Sequence, residues 1–503
     1  MKTVYFESHP RTILPKEETG PRILGFASVA QAVSLLVALA FMGLLTINAV
    51  NGQGLSGHAA MTLCIFIGAI WFWIFTKVED TYVALGAAVA LVISGSLPTQ
   101  DPFHALGEES IWLLMAAFVI AGAVASTGLA ARGAAFVITG ARSVRQLAHL
   151  TSLGLIVTAF AIPATSGRAA LALPIFLALG GALRDRPCVV KMLSVLFPTI
   201  ILLSAVSSFL GAGAHLITSQ VLESAGFRGF DFASWLLLGL PLALVSSGLA
   251  TELVLRLFTS PGERTAGLRI GITELQEQST TRLRGPLDLD EHRSLLLLGA
   301  VVALWCTEPI HGLEPALVAL IGALVVSSPY YGSVKLGAAL KKVPWSMLIF
   351  MAATLALGSS LVTSGAAYWL AASLLAPVEV LGAAKPVVFV LVVAISTAAH
   401  LVIQSRSARS AVLIPIVVAS AGTMGVDAVA AAFASTAAAG FCHTLTSSAK
   451  PVALFAEIDG RANYEPRDLL RLSSWLGPLN AVLVLLFSFF VWPAMGLPLL
   501  TSP

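Results

Sequence analysis

A short polar motif occurs twice inside apolar sequence, and no other feature of the chain constrains its fold as tightly. Ser166-Gly167-Arg168-Ala169-Ala170 runs into Leu173-Pro174-Ile175, and Ser407-Ala408-Arg409-Ser410-Ala411 runs into Ile414-Pro415-Ile416, with matched positions 241 residues apart. Each copy has an echo further on, His215-Leu216-Ile217-Thr218-Ser219 and His443-Thr444-Leu445-Thr446-Ser447, 228 residues apart. Ionisable groups are costly enough in lipid that an arginine or histidine in an apolar segment reads as part of a functional site. Their duplication points to a transporter assembled from two repeats.

The sequence around the motifs is that of a polytopic membrane protein: 57% of the residues are hydrophobic and 11% charged, against roughly 25% charged in a soluble domain. The net charge of +3 comes from basic residues spread over many loops rather than gathered in one patch, so it gives no sign of a nucleic-acid partner and none is expected. Cys64, Cys188, Cys306 and Cys442 are widely spaced, so neither disulfides nor a metal–thiolate site is expected, and no cofactor. Residues 1–23 are polar with mixed charge and read as a cytoplasmic tail.

Crossings of about 20 apolar residues are expected near 24–48, 58–76, 81–97, 112–128, 188–222 (interrupted), 233–255, 294–309, 314–328, 345–364, 427–456 (interrupted) and 472–496, about 11 in all. The apolar stretches 148–183 and 386–424 each carry a Ser-x-Arg motif near the middle, and read as re-entrant hairpins, since polar turns at membrane depth are tolerated where they are buried in protein. Lysine and arginine collect in alternate loops if the N-terminus is inside. That map, for a cell inner membrane, puts the C-terminus outside and an odd number of crossings between the hairpins, so the repeats are inverted. They run over 58–258 and 294–503. The first helix and its loop (24–57) precede them, and a polar cytoplasmic linker, 259–293, joins them.

Two hairpins with polar tips and Leu/Ile-Pro-Ile exits, a Trp-led helix closing on Thr-Gly-Leu-Ala (Trp112 to Ala130), its counterpart from Trp345 to Gly365, and a Trp-Pro pair near the C-terminus resemble the divalent anion/sodium symporter family over about residues 55–500. The resemblance implies an all-α elevator-type carrier, a homodimer in membrane lipid, that moves di- or tricarboxylates or sulfate, usually with sodium. The family's tips carry Ser-Asn-Thr; here the Asn positions are Thr165 and Arg406. A guanidinium beside a sodium ion adds like-charge repulsion, so the departure predicts sodium-independent exchange.

A guanidinium fork matches a carboxylate or sulfate bidentately and stays charged at working pH. Arg168 and Arg409 are therefore expected to hold the two ends of a small organic dianion of C4-dicarboxylate type. Ser166, Ser405, Ser407, Thr218, Ser219, Thr446 and Ser447 are candidate donors to the same anion, as is Arg406. His215 and His443 are donors or proton carriers. Each has a structural alternative: an arginine that pairs within the protein, a histidine that is a helix contact, a hydroxyl bonded to its own backbone. An arginine-lined anion channel and a sodium- or proton-coupled symporter of sulfate, sulfonate or tricarboxylate are the competing functions. No nucleotide loop or metal ligand set supports an enzyme.

Overall fold

The computed structural model describes residues 29–500 apart from 53, 269, 278–281, 381–384 and 459–460; the tail read over 1–23 lies outside them. After α1 (Val29–Val50) comes one series of helices: α2 (Gly57–Phe75), α3 (Asp80–Ile93), α4 (Asp101–Gly107), α5 (Glu109–Thr127), α6 (Leu129–Thr139), α7 (Val144–Ala161), α8 (Thr165–Ala182), α9 (Pro187–Leu203), α10 (Gly213–Ser224) and α11 (Phe232–Phe258). Two short helices follow, α12 (Pro261–Thr265) and α13 (Ile272–Glu277). The second series is α14 (Leu289–Cys306) with a single turn α15 (Glu308–His311), α16 (Pro315–Val326), α17 (Leu336–Leu340), α18 (Trp345–Thr363), α19 (Ala366–Val380), α20 (Lys385–Ala398), α21 (Arg406–Met424), α22 (Ala428–Ala439), α23 (Lys450–Ala456) and α24 (Pro466–Leu486). The order of long, short and interrupted helices is the same in both. Among the described residues, β-strands are confined to the two-residue pair Glu457–Ile458 with Arg461–Ala462, beside two isolated bridges, Ser143 with Gly267 and Val426 with Leu500.

Nine helices among the described residues are long and apolar enough to cross a membrane, and five shorter apolar ones accompany them. The protein is an all-α polytopic membrane protein. The hairpin arms fall at α7/α8 and α20/α21, each exit arm carrying its proline, Pro174 or Pro415, inside the helix.

The two series are woven together. Helix α16 of the second packs on α5 of the first, and α18, the counterpart of α5, packs on α3, the counterpart of α16. The half-helices exchange in the same way, α10 lying against hairpin arm α21 and α23 against α8. Buried side chains form two clusters. One holds α8 and α9 with Val452 and Phe455 of α23. The other holds the buried face of α21 with Leu216, Ile217 and Val221 of α10.

Residues 259–288 are more than a solvated tether. Leu268, Ile270, Leu275 and Leu283 are buried in the first-hairpin cluster, and Leu268 N–H donates to Arg142 O at 3.0 Å. The linker read to 293 ends earlier, because Asp288 and Glu291 form a reciprocal capping box that starts α14 at Leu289. Glu291 also pairs with Arg132 of α6 at 2.9 Å.

Candidate functional site

Both apolar helices that follow the hairpins are interrupted. After α9 the chain makes two 3-10 turns, Ser204–Ser207 and Phe209–Gly211, before α10; after α22 it is irregular until the turn Thr446–Ser448 and α23. Interruption leaves helix-end carbonyls and amides without intrahelical partners. The first break is also tight: a Cβ on Gly211 would sit 2.0 Å from Ala205 O, so only glycine fits.

The first hairpin turns at residues 162–164. Ala164 has φ 70° and ψ 136°, the one non-glycine with positive φ among the described residues. Beyond the turn, Arg168 is fully buried, and all three of its side-chain nitrogens donate to protein. Nε donates to Thr158 Oγ1 at 3.0 Å, Nη1 to Ile201 O at 2.9 Å, and Nη2 to Leu155 O at 2.6 Å and Ser204 Oγ at 2.7 Å. The guanidinium thus ties the hairpin's entry arm to the frayed end of α9. Four of Arg168's five N–H donors are engaged within the protein, which leaves one Nη1 N–H for the expected pairing of Arg168 with Arg409 around one anion. Ser166, beside it, is exposed.

The second tip has the opposite character. Ser405 caps α21, accepting from Ala408 N–H at 3.3 Å, and faces Asp80 of α3, near Lys450. Arg406 and Arg409 follow, three residues apart and so on one helix face. Arg409 is fully buried, yet its Nε, Nη1 and Nη2 have no hydrogen-bond partner, nor have Nε and Nη1 of Arg406. The electrostatic neighbours of Arg406 include Arg168, Arg409, His215 and His443, and no carboxylate is among the groups acting on it. Arg406 also lines a cavity of about 10 Å³, room for one water, with Ser246, Thr436, Gly440 and Asn480. The Nδ2 of Asn480, itself buried, is unpartnered too. Ser407 Oγ lies so near the start of α10 that a Cβ on Gly213 would come within 3.0 Å of it.

The histidines are not equivalent. Half-helices α10 and α23 begin 237 residues apart, at Gly213 and Lys450, so the 228-residue echo aligns a residue inside α10 with one still in the second break. His215 Nδ1–H donates to Ser208 O at 3.0 Å, and the ring stacks on Trp235 with centroids 4.6 Å apart. His443 lies in the irregular segment beside the backbone of Thr199, its Nε2 unpartnered. The hydroxyls divide likewise. Thr218 bonds Ala214 O and Thr436 Oγ1, and Ser219 holds the following loop by accepting from Phe230 N–H at 2.8 Å. Thr446 is half-buried and Ser447 exposed in the 3-10 turn.

Two polar groups escaped the sequence reading. Asn480 sits in the middle of α24, where an amide in an apolar helix was itself the signal. His400, in the second tip, is held by Thr397 O and Thr444 Oγ1, both at 2.7 Å. Together the second tip gathers Arg406, Arg409, His443 and Asn480, with donors left over on every one. An unpaired buried charge costs several kcal/mol, and an anion is the group that relieves it. Among the described residues, no three His, Cys, Asp or Glu gather as a metal ion would need.

The profile described as the sodium:sulfate symporter transmembrane region matches residues 29–497. The chain belongs to this family. As a sodium:sulfate symporter family member it is a secondary transporter of dicarboxylate/sulfate type and not an enzyme. It is 21% identical over 494 residues to the "Sodium-dependent dicarboxylate transporter SdcS" of Staphylococcus saprophyticus, covering 93% of this chain and 92% of that one. It is 24% identical over 312 residues to the "Putative malate transporter YflS" of Bacillus subtilis, covering 60% and 64%. Among solved structures, MtrF of Neisseria gonorrhoeae superposes with a TM-score of 0.57 at 14% identity, covering 85% of this chain and 88% of that one; it supports the fold alone.

Proposed function

We propose that this symporter-family member carries small organic dianions, C4-dicarboxylates in first place, and that the second hairpin holds the anion, with Arg406 and Arg409 as the paired forks. The observation behind this is the contrast in bonding: five guanidinium nitrogen atoms of Arg406 and Arg409 lack partners, while every side-chain nitrogen of Arg168 has at least one. Two cations spaced along one helix face match a dianion better than a monoanion. Asn480 Nδ2 and His443 Nε2 add neutral donors near the pair. The cavity's volume describes a closed arrangement, and an anion enters when the tip withdraws from α24. Arg168 acts as a positioning residue that keeps the first hairpin on the end of α9, with Ser166 at its tip.

The exchanged packing of the two series supports inverted repeats around a pseudo-two-fold axis, an elevator motion of both hairpins against the remaining helices, and a homodimer in the inner membrane with the N-terminus inside. Fixed guanidinium groups cannot leave with the substrate, and an empty carrier with buried positive charge crosses poorly, so anion exchange without sodium is the reading preferred. Sodium-coupled symport is the second reading, favoured by SdcS's printed description. Uptake of labelled succinate, malate and sulfate into proteoliposomes, in choline or sodium medium, with and without internal dicarboxylate, tests both. Uptake that needs internal anion and ignores sodium is expected; uptake driven by sodium into empty vesicles overturns the exchange reading. Failure of all three anions to enter or to bind removes the proposed substrate class.

A further inference from the structure

The second tip, the second break and α24 are distant in sequence, and one buried side chain links them. His400 lies in a single 3-10 turn, Ala399–Leu401, just before the cap Ser405, and is 3% exposed. A carbonyl only accepts, so in the neutral ring Nδ1–H donates to Thr397 O at 2.7 Å, and Nε2 accepts the hydroxyl hydrogen of Thr444 at 2.7 Å. Both nitrogens are thus used within the protein, and the Thr444 bond crosslinks the tip to the second break across 44 residues. Beside that bond three rings are layered. His400 meets Phe441 edge-on, with centroids 5.0 Å apart, and Phe441 lies 5.1 Å from His443. Behind Phe441 runs α24, so close that a Cβ on Gly477 would come within 3.3 Å of the ring; Asn480 follows three residues on, on the same helix face. Gly440, next to Phe441, backs onto Arg406, whose Nη2 would lie 3.1 Å from a Cβ there.

We propose that His400 is a positioning residue of the anion site: through Thr444 and Phe441 it clamps the second tip on the second break and α24, so that Arg406 and Arg409 converge with Asn480 and His443 before an anion arrives. This role rests on the second tip being the anion site. His400 does not itself touch the anion, since neither ring nitrogen is free. A site already ordered binds without the cost of ordering it. Without the clamp, the uncompensated charges of Arg406 and Arg409 favour an open tip, and the anion has to close it. Affinity then falls, while release of the anion becomes no slower.

The test is exchange of labelled succinate by proteoliposomes loaded with succinate, reading KM and kcat for His400→Leu, Thr444→Val, the double variant, and the conservative His400→Gln and Thr444→Ser. We expect His400→Leu and Thr444→Val each to raise KM roughly fivefold or more with kcat unchanged or higher, and the double variant to be no worse than either, since both remove one bond. His400→Gln keeps an acceptor and Thr444→Ser a hydroxyl, so both should lie much nearer wild type. Thr444 is half-buried in an irregular segment, and its two variants decide the matter even where His400→Leu fails to fold. Wild-type KM in folded Thr444→Val, KM effects that multiply in the double variant, conservative variants as impaired as the others, or a kcat loss at unchanged KM overturns the role. Arg409→Gln, run alongside, separates the two readings. If it alone loses affinity, the anion site stands without the clamp; if it keeps wild-type affinity, or folded wild type exchanges no succinate, the site falls and the role of His400 with it.

Discussion

The two hairpin tips carry the same motif and do different things with it. At the first, the arginine is spent: four hydrogen bonds convert a buried charge into a staple between α7, α8 and the end of α9. At the second, Arg409 and its neighbour Arg406 are held in place with their donors open. A duplicated side chain therefore does not imply a duplicated role. What separates the two is the supply of acceptors around each guanidinium, and the comparison can be pushed until it breaks.

The largest effect is expected at the staple. Arg168→Met removes four hydrogen bonds from the interior. The Thr158 and Ser204 hydroxyls keep their own bonds to Leu155 O and Ile200 O, but each acceptor loses its charged donor, at roughly 1–3 kcal/mol for each buried group left short. The yield of folded protein and its midpoint of thermal unfolding should collapse, and added dicarboxylate should not restore them fully. An Arg168→Met variant as stable as wild type would show that those bonds are not structural.

Arg409→Gln should produce the converse phenotype. If Arg409 holds the anion as proposed, losing that desolvated charge costs about 2–5 kcal/mol of binding, so dicarboxylate affinity should fall at least about 30-fold. The ligand-free protein should unfold no earlier than wild type, because an uncompensated buried charge has gone. Thermal unfolding with and without succinate reads both quantities at once. An early-melting Arg409→Gln variant with intact affinity reverses the assignment of the two tips.

Much of this was legible in the sequence, and the rest shows where to look. The hairpins, the interruptions and their order follow from apolar spans broken by small and polar residues. The division of labour follows from counting 241 residues on from the partners rather than from the motif. Thr158, which accepts from Arg168, has Ala399 as its counterpart at 241, and Ser204, which opens the first break, meets Leu445 at 241 and Phe441 at the 237 of the half-helices. The second repeat has thus lost both hydroxyls that satisfy the first arginine. The paired histidines misled for a related reason: an offset of 228 instead of 237 places His443 before its half-helix and His215 within its own. Asn480 comes from α24, more than 70 residues beyond the tip it faces, and no local pattern joins them.

Two smaller effects sharpen the comparison. Gly213→Ala puts a methyl against Ser407 Oγ and the flexible end of Met347, a mild overpacking that costs about 1–3 kcal/mol and should raise the KM for uptake several-fold through the second tip. Uptake at wild-type KM would show that the tip does not rest on α10. Ala164→Gly should stabilise by about 1 kcal/mol, since relief of roughly 1–3 kcal/mol of backbone strain outweighs the roughly 0.4–1 kcal/mol lost to a more flexible unfolded chain. A lowered unfolding midpoint would mean that the first tip is not strained.

The exchange of α3 and α5 with α18 and α16 has a bearing on how the protein is made. Helix α5 is complete at Thr127 and its partner α16 only at Val326, an interval of roughly 10–40 s at about 5–20 residues per second. For that time the nascent first half holds a vacant small-residue face, Ala116, Ala117 and Ala123 among it, inside the membrane. Its unassembled arginine must wait as well, because Arg168 finds Ile201 and Ser204 only after another 36 residues have been added. Biogenesis therefore favours a sheltered site beside the insertion machinery over free diffusion into lipid, and ribosome stalling between 127 and 326 should leave a species that membrane chaperones hold.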